Sequence, residues 1–392
     1  MTNLLAEAQE LFPYTQKMRR DFHRHPELGF QEKRTSRRIV EELSELPGLD
    51  VKTGVGSTGV VAVMACGKPG PVVLLRVDMD ALPIVEENDV PYASQNKGIM
   101  HACGHDGHTA IGLTVAKILH AERENLAGTV KFVFQPAEEG DGGAERMIED
   151  GVLENPRPDY ALALHLWNEK PLGWYGIPAG PMMAAAETIS ITVTGKGGHG
   201  ATPHAAIDPI LAASHIVTSL QSITSREIAP VDAGVVSITS IHGGSSHNII
   251  PPKVELQGTT RSFDAETREH ILKRVRQIVV GVADAFRCQA KVDIADVCPA
   301  VINDPEVTAR AQKVTRQLFP GATIATEYQT MGAEDMAWMM DKIPGCYMLI
   351  GSANPSKGLD AKHHHPRFDF DEEALIYGTA LASAVVVDLL KN

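Results

Sequence analysis

A run of nine residues limits what this chain can be more than any other segment. Residues 100–108 read Met-His-Ala-Cys-Gly-His-Asp-Gly-His and hold one thiol, three imidazoles and one carboxylate. Core packing does not explain this density, whereas thiolate and neutral imidazole bind zinc-like ions readily. We expect Cys103 and His105 to be metal ligands. A solvated histidine-rich turn beside a core cysteine is the simpler alternative.

Two other groups of ligand-type side chains follow segments that are typical of strands. Residues 129–134 alternate and are rich in β-branched and aromatic side chains, and this predicted strand ends before Glu138 and Glu139. The apolar run 160–164 suits a strand that is buried on both faces, and His165 follows it. Both segments therefore place ligand-type side chains just beyond a strand.

A third apolar run, residues 71–77, is followed by Asp78 and Asp80. We expect these carboxylates to orient ligand histidines, with an ordinary strand-end turn as the alternative. Ligands of an open α/β sheet bind beyond the carboxyl ends of its strands. The side chains that follow the three strands should therefore converge.

Three consecutive histidines, residues 363–365, form the last candidate group. Residues 367–392 follow with strand and helix character, so the run is not an expression tag. Three neighbouring histidines cannot all face one metal, and Pro366 holds His365 extended. One ligand from this set is the expectation, and a surface histidine cluster is the alternative.

Composition limits the class of protein. A chain of 392 residues exceeds the size of a single core, and its 43% apolar content supplies two domains. A net charge of -13 argues against nucleic acid as a partner. The sequence contains no apolar stretch of about 18 residues, and its N-terminus is acidic and amphipathic. These features predict a cytoplasmic protein without a membrane partner, in which the five cysteines need no disulfide.

The predicted architecture changes near Ala184. Before this residue, strands alternate with helices, which is typical of a mostly parallel sheet. After it, the order becomes β-α-β-β-α-β, which is typical of a ferredoxin-like insert. The predicted elements of the insert are a strand at 187–194, a helix at 209–222, strands at 234–241 and 253–261, a helix at 265–286 and a strand at 289–296.

Ligand-type residues occur on both sides of this insert, since α/β character resumes from Val301 and His364 lies in the resumed part. The first domain should therefore be discontinuous. We predict an α/β catalytic domain with a mixed, mostly parallel sheet over residues 1–183 and 299–392. Residues 184–298 should form the inserted α+β domain.

Six segments, in chain order, closely resemble the bacterial hippurate hydrolases. They are residues 21–29 (DFHRHPELG), 76–83 (RVDMDALP), 100–108 (MHACGHDGH), 135–140 (QPAEEG), 195–199 (GKGGH) and 331–335 (MGAED). Those enzymes belong, with the plant auxin-conjugate hydrolases, to the aminoacylase and carboxypeptidase-G clan of dinuclear metallohydrolases. The resemblance covers nearly the whole chain but says little about the acyl group of the substrate.

The resemblance implies a centre of two divalent ions, which would be zinc, manganese, cobalt or nickel. Its implied ligands are Cys103, His105, Glu139, His165 and His364. The family has a ligand histidine two residues before the proline, which selects His364, and Glu138 becomes the general acid/base. Consecutive side chains of an extended segment point to opposite sides, which is consistent with different roles for Glu138 and Glu139.

The resemblance also assigns roles within the insert, which would act as a dimerisation and lid domain. It implies that the glycine-rich turn presents His199 to the active site of a partner subunit, as an oxyanion donor. A solvated hairpin turn is the alternative. Asn248 and Arg261 would bind substrate, since a guanidinium suits an α-carboxylate, although Arg261 could be an exposed strand residue. The implied assembly is a homodimer or a dimer-based tetramer.

Three functions are compatible with these residues. The first is an amidohydrolase that splits N-acyl-L-amino acids, either hippurate-like or N-acetyl. The second is a dipeptidase, which should carry a carboxylate that recognises a free α-amino group. The third is a non-catalytic metal-binding protein, which would have no need for Glu138 as a base beside its ligands.

Overall fold

An eight-stranded sheet forms the centre of the larger of two units into which the chain divides. The structure is a computed structural model that describes residues 4–391. Within this range the larger unit comprises residues 4–180, 302–329 and 335–391, and the smaller comprises residues 181–301 and 330–334.

The secondary-structure elements are numbered in chain order. The helices are α1 Leu4–Glu10, α2 Phe12–Arg24, α3 Lys33–Ser44, α4 His105–Ala121, α5 Gly143–Glu149, α6 Pro209–Ser222, α7 Ala265–Ala285, α8 Pro305–Leu318, α9 Ala337–Met340 and α10 Ala374–Leu389. The strands are β1 Leu49–Val55, β2 Gly59–Ala65, β3 Lys68–Asp78, β4 Ala127–Gln135, β5 Tyr160–Pro171, β6 Trp174–Gly176, β7 Gly180–Met183, β8 Ala185–Thr194, β9 Gly198–His199, β10 Gly234–His242, β11 Ile249–Ile250, β12 Lys253–Ser262, β13 Gln289–Cys298, β14 Val301–Asn303, β15 Thr323–Ala325 and β16 Gly345–Ala353.

The strand order of the large sheet is β1-β2-β4-β3-β5-β16-β6-β15. Its four central strands, β4, β3, β5 and β16, are parallel, while antiparallel pairs occur toward both edges. Every residue of β16 is buried, as expected for a parallel strand that is covered on both faces. The prediction of a mixed, mostly parallel α/β sheet is confirmed.

Strand β5 is longer than the apolar run at 160–164 suggests. It continues to Pro171, so His165 lies inside the strand and not at its end. Pairing with β16 continues past His165, whereas pairing with β3 stops at Ala163. The pairing with β16, which the local sequence does not reveal, extends the strand.

Helix α4 carries the metal-suited run into the core of the larger unit. Fifteen of its 17 residues are buried, in contrast to the single apolar stripe of a surface helix. Gly107 allows its first turn to approach closely, since a Cβ there would lie 2.8 Å from Leu166 Cδ1 and from Phe370 Cζ. The N-terminal end of α4 is therefore fixed against β5.

The smaller unit contains the expected β-α-β-β-α-β arrangement. Its antiparallel sheet has the order β10-β12-β8-β13, the strand order of a ferredoxin-like fold. Alternate residues Ile189, Ile191 and Val193 of β8 are buried in one cluster with residues of α6 and α7, which leaves the intervening polar residues of β8 outside this core. The predicted α+β insert is confirmed.

No helix between residues 4 and 391 is long and apolar enough to cross a membrane.

Candidate metal centre

The five predicted ligands lie together at the carboxyl ends of the central parallel strands. Cys103 lies just before α4, His105 is its first residue, Glu139 follows β4, His165 lies in β5, and His364 belongs to the loop after β16. Cys103 Sγ lies 3.4 Å from His165 Nε2, and His364 Nε2 lies 3.3 Å from Glu139 Oε2. The structure therefore brings all five side chains into one cluster.

Cys103 occupies the middle of this cluster. Its sulfur, His105 and His165 form one group of possible ligand atoms, and the same sulfur forms a second group with Glu139 and His364. All atoms within each group lie within 4.8 Å of one another. Cys103 therefore lies within reach of the other four candidate ligands.

Two buried atoms in this cluster indicate that a cation fits there. Among the described residues, His105 Nε2 and Glu139 Oε1 are buried without a hydrogen-bond partner. Buried polar groups are normally paired, because an unpaired one costs about 1–3 kcal/mol. Thiolate, imidazole and carboxylate are also a donor set that suits transition-metal ions. The residues present therefore fit the divalent ions that the resemblance implies.

The charges around the sulfur favour a cation as well. Burial raises the pKa of the Cys103 thiol, and the carboxylates of Glu139 and Glu138 raise it further, well above its usual value. Burial opposes a charged imidazole at His105, but Asp78, Asp80 and Glu139 together raise the pKa of His105 to about 10. The cluster thus carries an excess of negative charge that a bound cation would neutralise.

Asp80 connects two of the candidate ligands. Its backbone oxygen and its Oδ1 lie 3.0 and 3.2 Å from His105 Nδ1, which turns Nε2 of that ring toward the cluster. Asp80 Oδ2 accepts a hydrogen bond of 3.1 Å from the backbone N–H of Glu139. Asp80 therefore orients one candidate ligand and holds the chain that carries another.

Glu138 and Glu139 both reach His105. Glu138 Oε2 lies 3.9 Å and Glu139 Oε1 lies 3.8 Å from His105 Nε2, and both side chains are partly exposed. Glu139 is the carboxylate that contacts His364. Both adjacent carboxylates therefore belong to the cluster.

His108 is a buried residue that the sequence-based ligand set omits. Its Nδ1 donates to Asp78 Oδ1 at 2.6 Å, and its Nε2 accepts from the backbone N–H of Leu166 at 2.9 Å. Both ring nitrogens are therefore engaged by the protein. His108 follows His105 by three residues, so both imidazoles lie on one face of α4. This spacing is the feature of the sequence that could have indicated a role for His108.

Behind these histidines lies a buried ionic network. Arg76 donates to Asp78 Oδ2 at 2.7 Å, to Gln135 Oε1 at 2.8 Å and to Asp335 Oδ1 at 3.0 Å. Although burial opposes the ionised form, His105, His108 and Arg76 hold the pKa of Asp78 well below its usual range. Arg76 and Asp78, from the motif at 76–83, thus meet Asp335, the last residue of the motif at 331–335, in one network.

The three other predicted site residues belong to the smaller unit. His199 and Asn248 lie on a two-stranded ribbon, in which Ile249 pairs with His199 and Asn248 O accepts from Gly200 N at 2.8 Å. Both side chains are exposed. Arg261 lies in the four-stranded sheet, where its guanidinium donates to the backbone oxygen of Thr260 at 2.7 Å. The ribbon therefore brings two of the three together.

Comparison with known proteins identifies the family. The model of peptidase family M20/M25/M40 matches residues 74–388. Thermostable carboxypeptidase 2 of Saccharolobus solfataricus is 39% identical over 391 residues, which cover 98% of each chain. The N-acetylcysteine deacetylase of Bacillus subtilis is 39% identical over 377 residues, which cover 96% of each chain.

A solved structure agrees with these matches. The YXEP protein of Bacillus subtilis, described as a dinuclear metal binding peptidase from the M20 family, is 35% identical and has a TM-score of 0.85. The match covers 98% of this chain and 99% of that one. The resemblance that the six sequence segments indicate is thus confirmed, and the chain belongs to the M20/M25/M40 peptidase family of metallopeptidases and amidohydrolases.

Proposed function

We propose that the protein is a metal-dependent amidohydrolase that cleaves the amide bond of N-acyl-L-amino acids. The observation that carries this proposal is the cluster of Cys103, His105, Glu139, His165 and His364, with Glu138 beside it. A relative that is 39% identical over almost its whole length is named as the deacetylase of an N-acetylated amino acid. The cluster supports the metal chemistry, and the relative supports the class of substrate.

The five clustered side chains would hold two divalent ions. Thiolate and imidazole favour zinc, cobalt or nickel, and the carboxylate also suits manganese. When bound, such ions polarise an amide carbonyl and lower the pKa of a water molecule toward 7.

Glu138 would move the proton in this reaction. As a carboxylate it can take a proton from the attacking water and return it to the nitrogen of the leaving amine. Its side chain is partly exposed and lies 3.9 Å from His105, which supports this role. His105 would meanwhile be kept in its orientation by Asp80.

The smaller unit would complete the site. We propose that residues 184–298, which lie within this unit, form a dimerisation and lid domain, and that residues 1–183 and 299–392 form the catalytic domain. His199 would stabilise the oxyanion of a partner subunit's substrate, and Asn248 and Arg261 would bind the carboxylate end of the substrate. The exposure of His199 and Asn248 on one ribbon supports this proposal.

A peptidase activity is the second candidate, because one full-length relative is named as a carboxypeptidase. The two activities differ in the group next to the scissile amide. A dipeptidase must recognise a free α-amino group, whereas an N-acyl amino acid has none.

A substrate screen distinguishes the candidates. The purified protein is stripped of metal, reconstituted separately with zinc, manganese, cobalt and nickel, and assayed for amine release. The substrates are hippurate, a series of N-acetyl-L-amino acids, and dipeptides with the same C-terminal residues. We expect N-acyl substrates to be cleaved and the matched dipeptides to be cleaved far more slowly. The reverse preference would establish the peptidase instead, and release without added metal from the stripped protein would contradict a metal-dependent reaction.

A further inference from the structure

The backbone at Leu166 needs partners that the sheet does not provide. Strand β5 pairs with β3 only as far as Ala163, but with β16 it continues past Leu166, opposite Ile350. Leu166 is fully buried, and buried backbone groups are almost always hydrogen-bonded. The backbone N–H and carbonyl of Leu166, which β3 does not pair, must therefore form hydrogen bonds with side chains.

Imidazole rings bind both polar groups of Leu166. Its N–H donates to His108 Nε2 at 2.9 Å. Its carbonyl oxygen accepts from His165 Nδ1 at 2.8 Å and from His363 Nε2 at 3.0 Å. One residue of the main chain thus connects three histidines.

These bonds fix which nitrogen of each ring carries the proton. A carbonyl only accepts, so His165 must be protonated at Nδ1 and His363 at Nε2. Proton-free Nε2 of His165 then faces Cys103 Sγ at 3.4 Å. A backbone N–H only donates, so His108 Nε2 must be proton-free, which leaves its Nδ1 to donate to Asp78.

The ring of His363 is also held by aromatic packing. Its centroid lies 4.9 Å from that of Trp167 and 5.2 Å from that of Phe368. The next residue, His364, has a left-handed backbone with φ 64°, which is unfavourable for a residue with a side chain. His364 N donates to Ala102 O at 2.8 Å. This bond and the packing of the preceding residue, His363, together hold the strained conformation.

We infer that His108 and His363 are positioning residues that orient the two candidate ligands His165 and His364 through the backbone N–H and carbonyl of Leu166. The inference rests on the proposed function, because it assigns a purpose to these bonds only if His165 and His364 bind metal. Neither residue touches the substrate in this scheme. Loss of a hydrogen bond that orients a ligand usually weakens metal binding by about 10- to 100-fold.

The test separates the hydrogen bond of His363 from its packing. His363→Phe keeps a ring between Trp167 and Phe368 but cannot donate to Leu166 O. His363→Gln keeps a donor but loses the ring. His365→Phe is the matched control, because this neighbouring histidine is exposed.

The readout is binding of Co²⁺ alone to the full-length protein, by chelator competition and by the thiolate-to-cobalt absorption band. Thermal melting of the apo forms checks that each variant folds. We expect His363→Phe to bind one Co²⁺ about 10- to 100-fold more weakly with an altered band, and His363→Gln and the control to stay within about threefold of wild type. Equal affinity in all four proteins, or equal loss in both His363 variants, would overturn the inference. A wild-type protein that binds no Co²⁺ would instead overturn the proposed function.

Discussion

A buried imidazolium at His23 makes the stability of the larger unit depend on pH. His23 is fully buried near the end of α2, and its two ring nitrogens face carboxylates. Nδ1 lies 2.8 Å from Asp106 Oδ2, and Nε2 lies 3.1 Å from Glu86 Oε1. Because an ionised carboxylate only accepts hydrogen bonds, both nitrogens must donate, and the ring must carry a charge.

The direction of the effect follows from the pKa of this ring. Burial opposes the charge and Arg19 repels it, yet attraction to Asp106 and the two hydrogen bonds raise the pKa of His23 from 6.5 to about 9. Because the pKa is raised in the folded state, the stabilisation is complete below about pH 6.5 and is lost as the pH rises through about 9. A rise of this size corresponds to about 3 kcal/mol.

His23→Gln tests this value, because the amide cannot be charged. All three tryptophans, Trp167, Trp174 and Trp338, lie in the same unit as His23, so their fluorescence follows its unfolding in urea. With chelator present throughout, we expect the wild-type advantage in free energy of unfolding to shrink by about 3 kcal/mol between pH 6 and pH 10. His247→Gln, which removes an exposed imidazole from the other unit, is the control. An advantage that stays constant across this range would refute the charged ring.

Three further predictions address the site and the core. Glu138→Ala should keep its metal and lose about 10²- to 10⁴-fold in turnover, whereas Glu139→Ala should lose metal. If elemental analysis found the same loss of metal in both variants, the base and the ligand would be wrongly assigned. Mixing inactive His199→Ala and Glu138→Ala chains after dissociation should restore up to about one quarter of wild-type activity if His199 acts in trans, and no recovery in confirmed heterodimers would contradict this. Lys131→Met should lower the free energy of unfolding in urea by about 2 kcal/mol or more, because the buried ammonium of Lys131 donates to three backbone carbonyls. An unchanged urea midpoint would contradict this and would mean that water satisfies these carbonyls in the variant.

The fold could be predicted because its signals are local. Strict alternation in residues 187–194 and unbroken apolar runs such as 160–164 distinguish a half-exposed strand from a buried one. The order of elements then predicts a mostly parallel sheet with a ferredoxin-like insert, which the structure confirms. The candidate ligands are also local signals, because thiol, imidazole and carboxylate side chains are rarely concentrated without a metal. The metal identity, the dimer and the cytoplasmic location stay predictions.

Long-range ionic partners left no such signal. Arg19 bonds to Asp106 at 2.8 Å and to Asp369 at 2.6 Å, across 87 and 350 positions of the chain. Each of these residues, taken alone, is an ordinary polar side chain of a helix or a loop. Only the fold makes them a buried network, and the same holds for His23.

The histidines around the candidate metal centre bond to backbone groups that no sequence motif reveals. Leu166 is an apolar residue in an apolar run, and its side chain indicates only burial. Its N–H and carbonyl are available because β5 extends along β16 beyond the last pair with β3. His108 and His363 acquire their partners from this mismatch in strand pairing, so a substitution that shortened β5 would disturb the candidate metal centre without changing any candidate ligand.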